Sequence, residues 1–153
     1  MTEDTRFHDN GDGSITDNET GLIWTREDSW QSESVWLTWD EADQYAQRLR
    51  DNKFCGFNDW RLPEKKESLT LYCPDKTIQD KYEKILYMDP VFPSGCLPTV
   101  WLGERLTGNE GYILDFRNGE IRELFKSKSG RMAARPVCGE KTLNSPLPRL
   151  KDE

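Results

Sequence analysis

The run Asp59-Trp60-Arg61-Leu62-Pro63 constrains this chain more than any other stretch. Trp60 brings a large apolar surface with one N–H that needs a partner once buried. Arg61 beside it presents a planar fork that fits a carboxylate or several backbone carbonyls. Pro63 fixes its own φ, drives Leu62 into extended backbone, and suits the first turn of a helix. Glu64 to Leu71 reads as that helix. Trp60, Arg61, Leu62 and Pro63 are therefore expected to form a buried corner joining two helices, not a catalytic loop.

The helix before the corner is well marked. Thr38 and Glu41 have capping-box spacing, each side chain serving a free backbone donor of the other. Trp39, Ala42, Ala46 and Leu49 recur along one face, while Asp40, Glu41, Asp43, Gln47 and Arg48 occupy the opposite one. That stripe is expected to pack on a sheet, and Asp51-Asn52-Lys53 with Gly56 ends it. Upstream, Asp9 to Gly13 is a turn cluster, Ser14 to Asp17 alternates as a strand, and Asn18 to Gly21 turns again. Leu22-Ile23-Trp24 then runs extended, with Trp24 in the framework. A calcium loop across Asp9–Glu19 is the competing reading of this stretch. It places His8 at the first ligand position and lacks the helix that should follow Glu19, so the hairpin is preferred. Thr25 to Trp36 reads as a surface loop.

Downstream, Ile78, Tyr82, Ile85 and Leu86 suggest one face of a short helix ending before Asp89-Pro90. Phe92 to Gly95 is a loop, after which the apolar period changes to two. Thr99 to Gly103 is a strand. Gly111–Phe116 and Glu120–Phe125 form a hairpin across Arg117-Asn118-Gly119, where Asn and Gly tolerate positive φ. Arg131 to Val137 reads as the closing strand, with Pro136 suited to an edge. Residues 1–139 are thus one domain, and 140–153 are a polar, Pro-interrupted flexible tail. A chain of 153 residues can bury roughly 70% of its unfolded surface.

Composition limits the partners. The formal charge of −7 argues against nucleic acid or an anionic membrane and tolerates a neutral or cationic ligand. No apolar run approaches the roughly 20 residues of a spanning helix. The first residues lack a signal-peptide pattern. The chain is expected in the cytoplasm if Met1 is native, and otherwise in the periplasm or at the cell surface with its signal removed. The four cysteines include no Cys-x-x-Cys pair, so neither a metal nor another cofactor is expected. His8 is the single histidine and has no nucleophile motif beside it. No catalytic residues can be named, and the chain is not expected to be an enzyme.

These pieces together resemble a known family, the Lcl (Legionella collagen-like) C-terminal or DUF1566 domain, which is of C-type-lectin-like fold. The likeness rests on Arg6-Phe7 with Asp9–Asn18 and Thr20–Trp24, on Thr38-Trp39 with Glu41-Ala42 and Tyr45, and on Trp60-Arg61-Leu62-Pro63 with Glu67. Trp101, Asp115-Phe116, Gly119, Arg135 and Val137 complete it. The resemblance implies an α+β, loop-rich fold with two helices flanking a twisted antiparallel sheet and the chain ends close together. It also implies a bacterial binding module, adhesin-like, for a protein partner or a glycan. Two departures stand out. Ala46 and Pro136 occupy the positions where many members carry cysteines, and Ser68 replaces an apolar residue. Cys138 lies two positions past Pro136, and Cys73 with Cys96 could close a separate loop. Such a bridge contributes about 3 kcal/mol in an oxidising compartment.

In this fold the irregular stretch before the final strands usually carries the exposed face. That points to Trp101, Glu104, Arg105, Asn109, Glu110 and Tyr112 as binding residues, since Trp and Arg dominate interface energetics. The opposing reading makes Trp101 core and the charges a solvated rim. The basic group Lys126, Lys128 and Arg131 is a second candidate, for a sulfate or carboxylate. Three functions remain: a non-catalytic binding module, an accessory subunit of a larger assembly, and a sulfatase-modifying-type copper oxidase. The last lacks its closely spaced cysteine pair. Ligand, oligomeric state and calcium near Asp9–Glu19 stay open at this level.

Overall fold

The computed structural model describes residues 6–105 and 108–139. The expected tail lies outside the described residues, as does the side chain of Arg105. The fold is α+β, with more sheet than helix. Strands β1 (Phe7–Asp9), β2 (Ser14–Asp17) and β3 (Ile23–Thr25) form an antiparallel meander, and β10 (Val137–Cys138) pairs with β3 at its edge. The first and last described strands thus share one sheet. A second four-stranded sheet has the order β8 (Glu120–Phe125), β7 (Glu110–Asp115), β6 (Thr99–Arg105), β9 (Met132–Ala133), with β9 parallel to β6.

The strand period of two sorts the core. Val100, Leu102 and Leu114 point into one cluster with Ile15, Trp24 and Phe92. Trp101 and Ile113 point to the opposite side, into a cluster with Trp39, Tyr45 and Leu62. Helix α2 (Trp39–Asp51) covers that second side. Thr38 and Glu41 cap it reciprocally, Glu41 N–H donating to Thr38 Oγ1 at 3.2 Å and Thr38 N–H to Glu41 Oε1 at 2.9 Å. Trp39, Ala42, Tyr45 and Ala46 are its buried residues.

A 3₁₀ turn (Phe54–Gly56) leads into the corner. Trp60 is fully buried and its indole N–H donates to Phe54 O at 2.9 Å. Arg61 pairs with Val137 through two backbone hydrogen bonds and forks onto Glu67 with two more of 2.7 Å. Pro63 O accepts from Gly103 N–H at 2.7 Å, so the corner is stitched to both sheets. Helix α3 (Lys65–Leu69) follows, shorter than the expected Glu64–Leu71, because Thr70 and Leu71 already bond three residues back. Among the described residues no helix is long and apolar enough to cross a membrane.

Three expectations are corrected. Thr25 to Trp36 is not all loop: Asp28 caps helix α1 (Ser29–Glu33), taking the Gln31 N–H while Gln31 reaches back to the Asp28 N–H. The segment Ile78–Leu86 is not a helix but a hairpin of β4 (Ile78–Gln79) and β5 (Ile85–Leu86). Buried Asp80 makes that turn by accepting the backbone N–H groups of Tyr82 and Lys84 on one oxygen. Arg131–Val137 is not one strand, because the chain leaves β6 after Ala133 and joins β3 at Val137. Arg135 drives that crossover. It is buried and donates to the carbonyls of Thr25 at 2.9 Å and Arg26 at 2.7 Å.

Candidate functional site

A groove of about 580 Å³ opens where the β1–β2 tip meets the first two helices. Asp9, Gly11 and Gly13 supply one wall from the tip. Gly13 has φ +103° and sits so close to the Phe54 ring that a β-carbon would lie 3.1 Å from it, so a side chain there would intrude on the floor. Thr25, Arg26 and Glu27 supply the second wall as β3 passes into α1. The α2 residues Tyr45 and Leu49, with Phe54 beyond them, make an apolar floor.

The groove's polar groups are mostly paired. Arg26 Nε stands 3.3 Å from Asp9 Oδ2. Arg48 donates to both oxygens of Glu33, at 3.1 and 3.3 Å, and its guanidinium carbon lies 5.2 Å from the Tyr45 ring centre. Ser32 and Tyr45 hydroxyls are 2.7 Å apart, and burial pushes the Tyr45 phenol above its ordinary pKa. Two groups stand apart: the exposed Glu27 carboxylate has no partner among the described residues, and the Thr25 side chain is buried without one. It is 3% exposed and its hydroxyl has no hydrogen-bond partner in the protein. Beneath this region, Asp28 is fully buried and accepts from Gln31 N–H and Leu97 N–H. Burial raises its carboxyl, against the pull of Arg135.

The residues expected to bind ligand do not converge. Trp101 is fully buried and its indole donates to Leu37 O at 2.8 Å, which makes it framework and not a ligand platform. Glu104 turns toward α3, accepting Lys65 N–H at 2.8 Å, and burial raises its carboxyl. Tyr112 carries the Lys65 ammonium 3.5 Å from its ring centre. Glu110 is half-buried beside Phe125 in the β7–β8 ladder. Asn109 is exposed and lines a separate depression of about 630 Å³ with Asp40, Phe125 and Lys126. The second candidate, the basic group, is also divided. Lys126 lies over Trp39 and Arg131 over Tyr82.

The model of the Lcl C-terminal domain matches residues 13–138. This chain belongs to that family. No curated protein matches it.

In this Lcl C-terminal domain all four cysteines are free thiols, so the Cys73–Cys96 bridge is not formed. Their surroundings differ. Cys73 is half-buried and its N–H bonds Tyr87 O, whereas Cys96 is buried near Arg135 and Asp28. Burial pushes the Cys55 thiol to about 11, and those of Cys96 and Cys138 to about 12. These three are protonated at neutral pH. His8 is exposed on β1. Carboxylates of the Asp9–Glu19 stretch serve their own fold: Asp9 holds the Gly11 N–H, Asp12 holds Ser14, and Asp17 holds Arg6. Among the described residues no three His, Cys, Asp or Glu side chains gather in metal-binding fashion.

The Lcl C-terminal domain's groove was missed in the sequence because four separated segments build it. One signal was present. Asp28 and Gln31 carry capping-box spacing, and reading it would have placed Ser32 and Glu33 on a helix facing Tyr45.

Proposed function

We propose that this domain is a non-catalytic binding module of C-type-lectin-like topology, and that the groove beside the β1–β2 tip is its ligand site. The observation that carries this is the make-up of the groove: an apolar floor of Tyr45, Leu49 and Phe54 beneath polar walls, on which the exposed Glu27 carboxylate has no partner among the described residues. Pockets that take ligands combine apolar floors with a few placed polar groups. The elevated thiols of Cys55, Cys96 and Cys138 support the absence of nucleophilic chemistry. The ligand class is a protein or a glycan.

The test is a glycan array run beside a panel of immobilised proteins and peptides, with the wild-type chain and a Leu49→Trp variant that fills the floor. Binding that Leu49→Trp abolishes supports the groove. Binding that survives it, or none in either panel, overturns the assignment.

A second reading, an accessory subunit packed in a larger assembly, draws on the exposure of Trp36 (45%) and Phe125 (53%). Light scattering coupled to size exclusion separates the two. A monomer that binds its ligand removes the assembly reading.

A further inference from the structure

We infer that the outer edge of β8 takes an extended segment of a partner polypeptide as an added antiparallel strand. The segment has a basic residue opposite Glu123 and an apolar residue two places to either side. This surface is separate from the groove. β8 ends the second sheet, and among the described residues it pairs only with β7. Phe116 N–H donates to Pro98 O and Lys126 N–H to Asn109 O, which fixes the phase of the ladder. Antiparallel bonding alternates along a strand. Arg122 and Leu124, opposite Ile113 and Gly111, therefore bond β7, and Ile121, Glu123 and Phe125 turn their backbone groups outward. Phe125 O accepts from Lys128 N–H. Among the described residues the N–H and C=O of Ile121 and Glu123 have no hydrogen bond. Open edge groups of this kind are a template for another strand.

The side chains decide which strand. Ile121, Glu123 and Phe125 share one face of β8. Phe125 is exposed and Ile121 half-buried. Glu123 lies exposed between them and has no ion-pair partner among the described residues. A second copy of the chain fits this edge poorly. Outward-bonding residues must face outward-bonding residues, so the registers that overlap most of β8 centre on Glu123 or on Arg122. One sets Glu123 against its counterpart and the other sets Arg122 against its own, and like charges directly opposite destabilise a sheet. A lysine or arginine opposite Glu123 instead makes an opposite-charge pair, and aliphatic neighbours cover Ile121 and Phe125. The net charge of −7 steers a basic segment toward the surface.

The experiment titrates the isotopically labelled full chain with acetyl-Ser-Val-Thr-Lys-Thr-Val-Ser-amide and follows amide shifts and hydrogen exchange. At saturating peptide the Ile121 and Glu123 amides should exchange about tenfold more slowly, while those of Arg122 and Leu124, already bonded to β7, should not change. Methylating the lysine nitrogen of the peptide removes a donor aimed at β8 and should abolish binding. Methylating a threonine nitrogen, which faces away, should leave it. Glutamate in place of the lysine should weaken binding by about fivefold, and Glu123→Lys should reverse that preference. Glu123 is exposed, so the variant keeps its fold, which its free spectrum verifies. Unchanged exchange at Ile121 and Glu123, equal binding of the two methylated peptides, or no reversal in Glu123→Lys overturns the proposal. Protection of both amides in the peptide-free chain overturns it in favour of a second copy on the edge. Shifts confined to Thr25, Tyr45 and Leu49 also overturn it while leaving the groove reading in place.

Discussion

Trp39 and Trp101 exchange hydrogen bonds with each other's neighbourhoods. The Trp39 indole donates to Leu102 O at 2.9 Å, and the Trp101 indole donates to Leu37 O at 2.8 Å. The start of α2 is thereby bound to β6 in both directions. Gly111 leaves room for the pair, since a β-carbon there would lie 2.9 Å from Trp39 and 3.4 Å from Trp101.

Trp101→Phe should keep most of the apolar contact but strand the Leu37 carbonyl, costing about 1–2 kcal/mol. Trp101→Ala should cost about 3–5 kcal/mol through its cavity. Urea unfolding followed by far-UV circular dichroism measures both. A negligible loss for the alanine variant would mean Trp101 is exposed, contrary to the packing described here.

The corner makes a parallel claim. Trp60→Ala should cost about 3 kcal/mol or more, and Arg61→Lys about 2 kcal/mol. Lysine cannot fork onto Glu67, a carboxylate with 2% of its side chain exposed, while also reaching Gly139 O. Chemical denaturation of the two variants is the check. Wild-type stability in Arg61→Lys would show that the fork contributes nothing beyond charge.

The sequence made some of this legible and hid the rest for identifiable reasons. Helix α2 could be read because Thr38 and Glu41 mark its start and its apolar stripe spans several turns. The β7–β8 hairpin could be read because Asn118-Gly119 permits a tight reversal. The β4–β5 hairpin could not. Its strands are too short to show a period, and its turn is made by the Asp80 side chain, not by glycine. The split between β9 and β10 was hidden because Arg135 sits at a buried position, where sequence patterns assign a charge to the surface. The groove escaped for a different reason: Asp9, Thr25, Tyr45 and Phe54 meet only through the fold.

Asp115 gives a pH signature. Its burial alone would raise the carboxyl, but hydrogen bonds from the Arg117 side chain and backbone, with Arg122 nearby, outweigh that and hold it below the ordinary value. A depressed folded-state pKa contributes stability that is present above the unfolded value, about 3.9. That contribution is lost as pH falls through the folded value. Asp115→Asn should therefore be less stable than wild type at neutral pH, and the difference should shrink as the solution is acidified. Urea midpoints collected across the acid range measure this. A difference that stays constant with pH would place the stabilisation outside the ionised carboxylate.

Thr25→Val tests whether the buried hydroxyl is a cost to the fold. Valine keeps the β-branched shape that suits strand β3 and removes a buried hydroxyl with no partner in the protein. Losing an unsatisfied polar group should stabilise the fold by about 1 kcal/mol. The variant should therefore unfold at higher urea than wild type, and urea titrations of the two proteins side by side measure the difference. If stability falls instead, the hydroxyl already has a partner in the free protein.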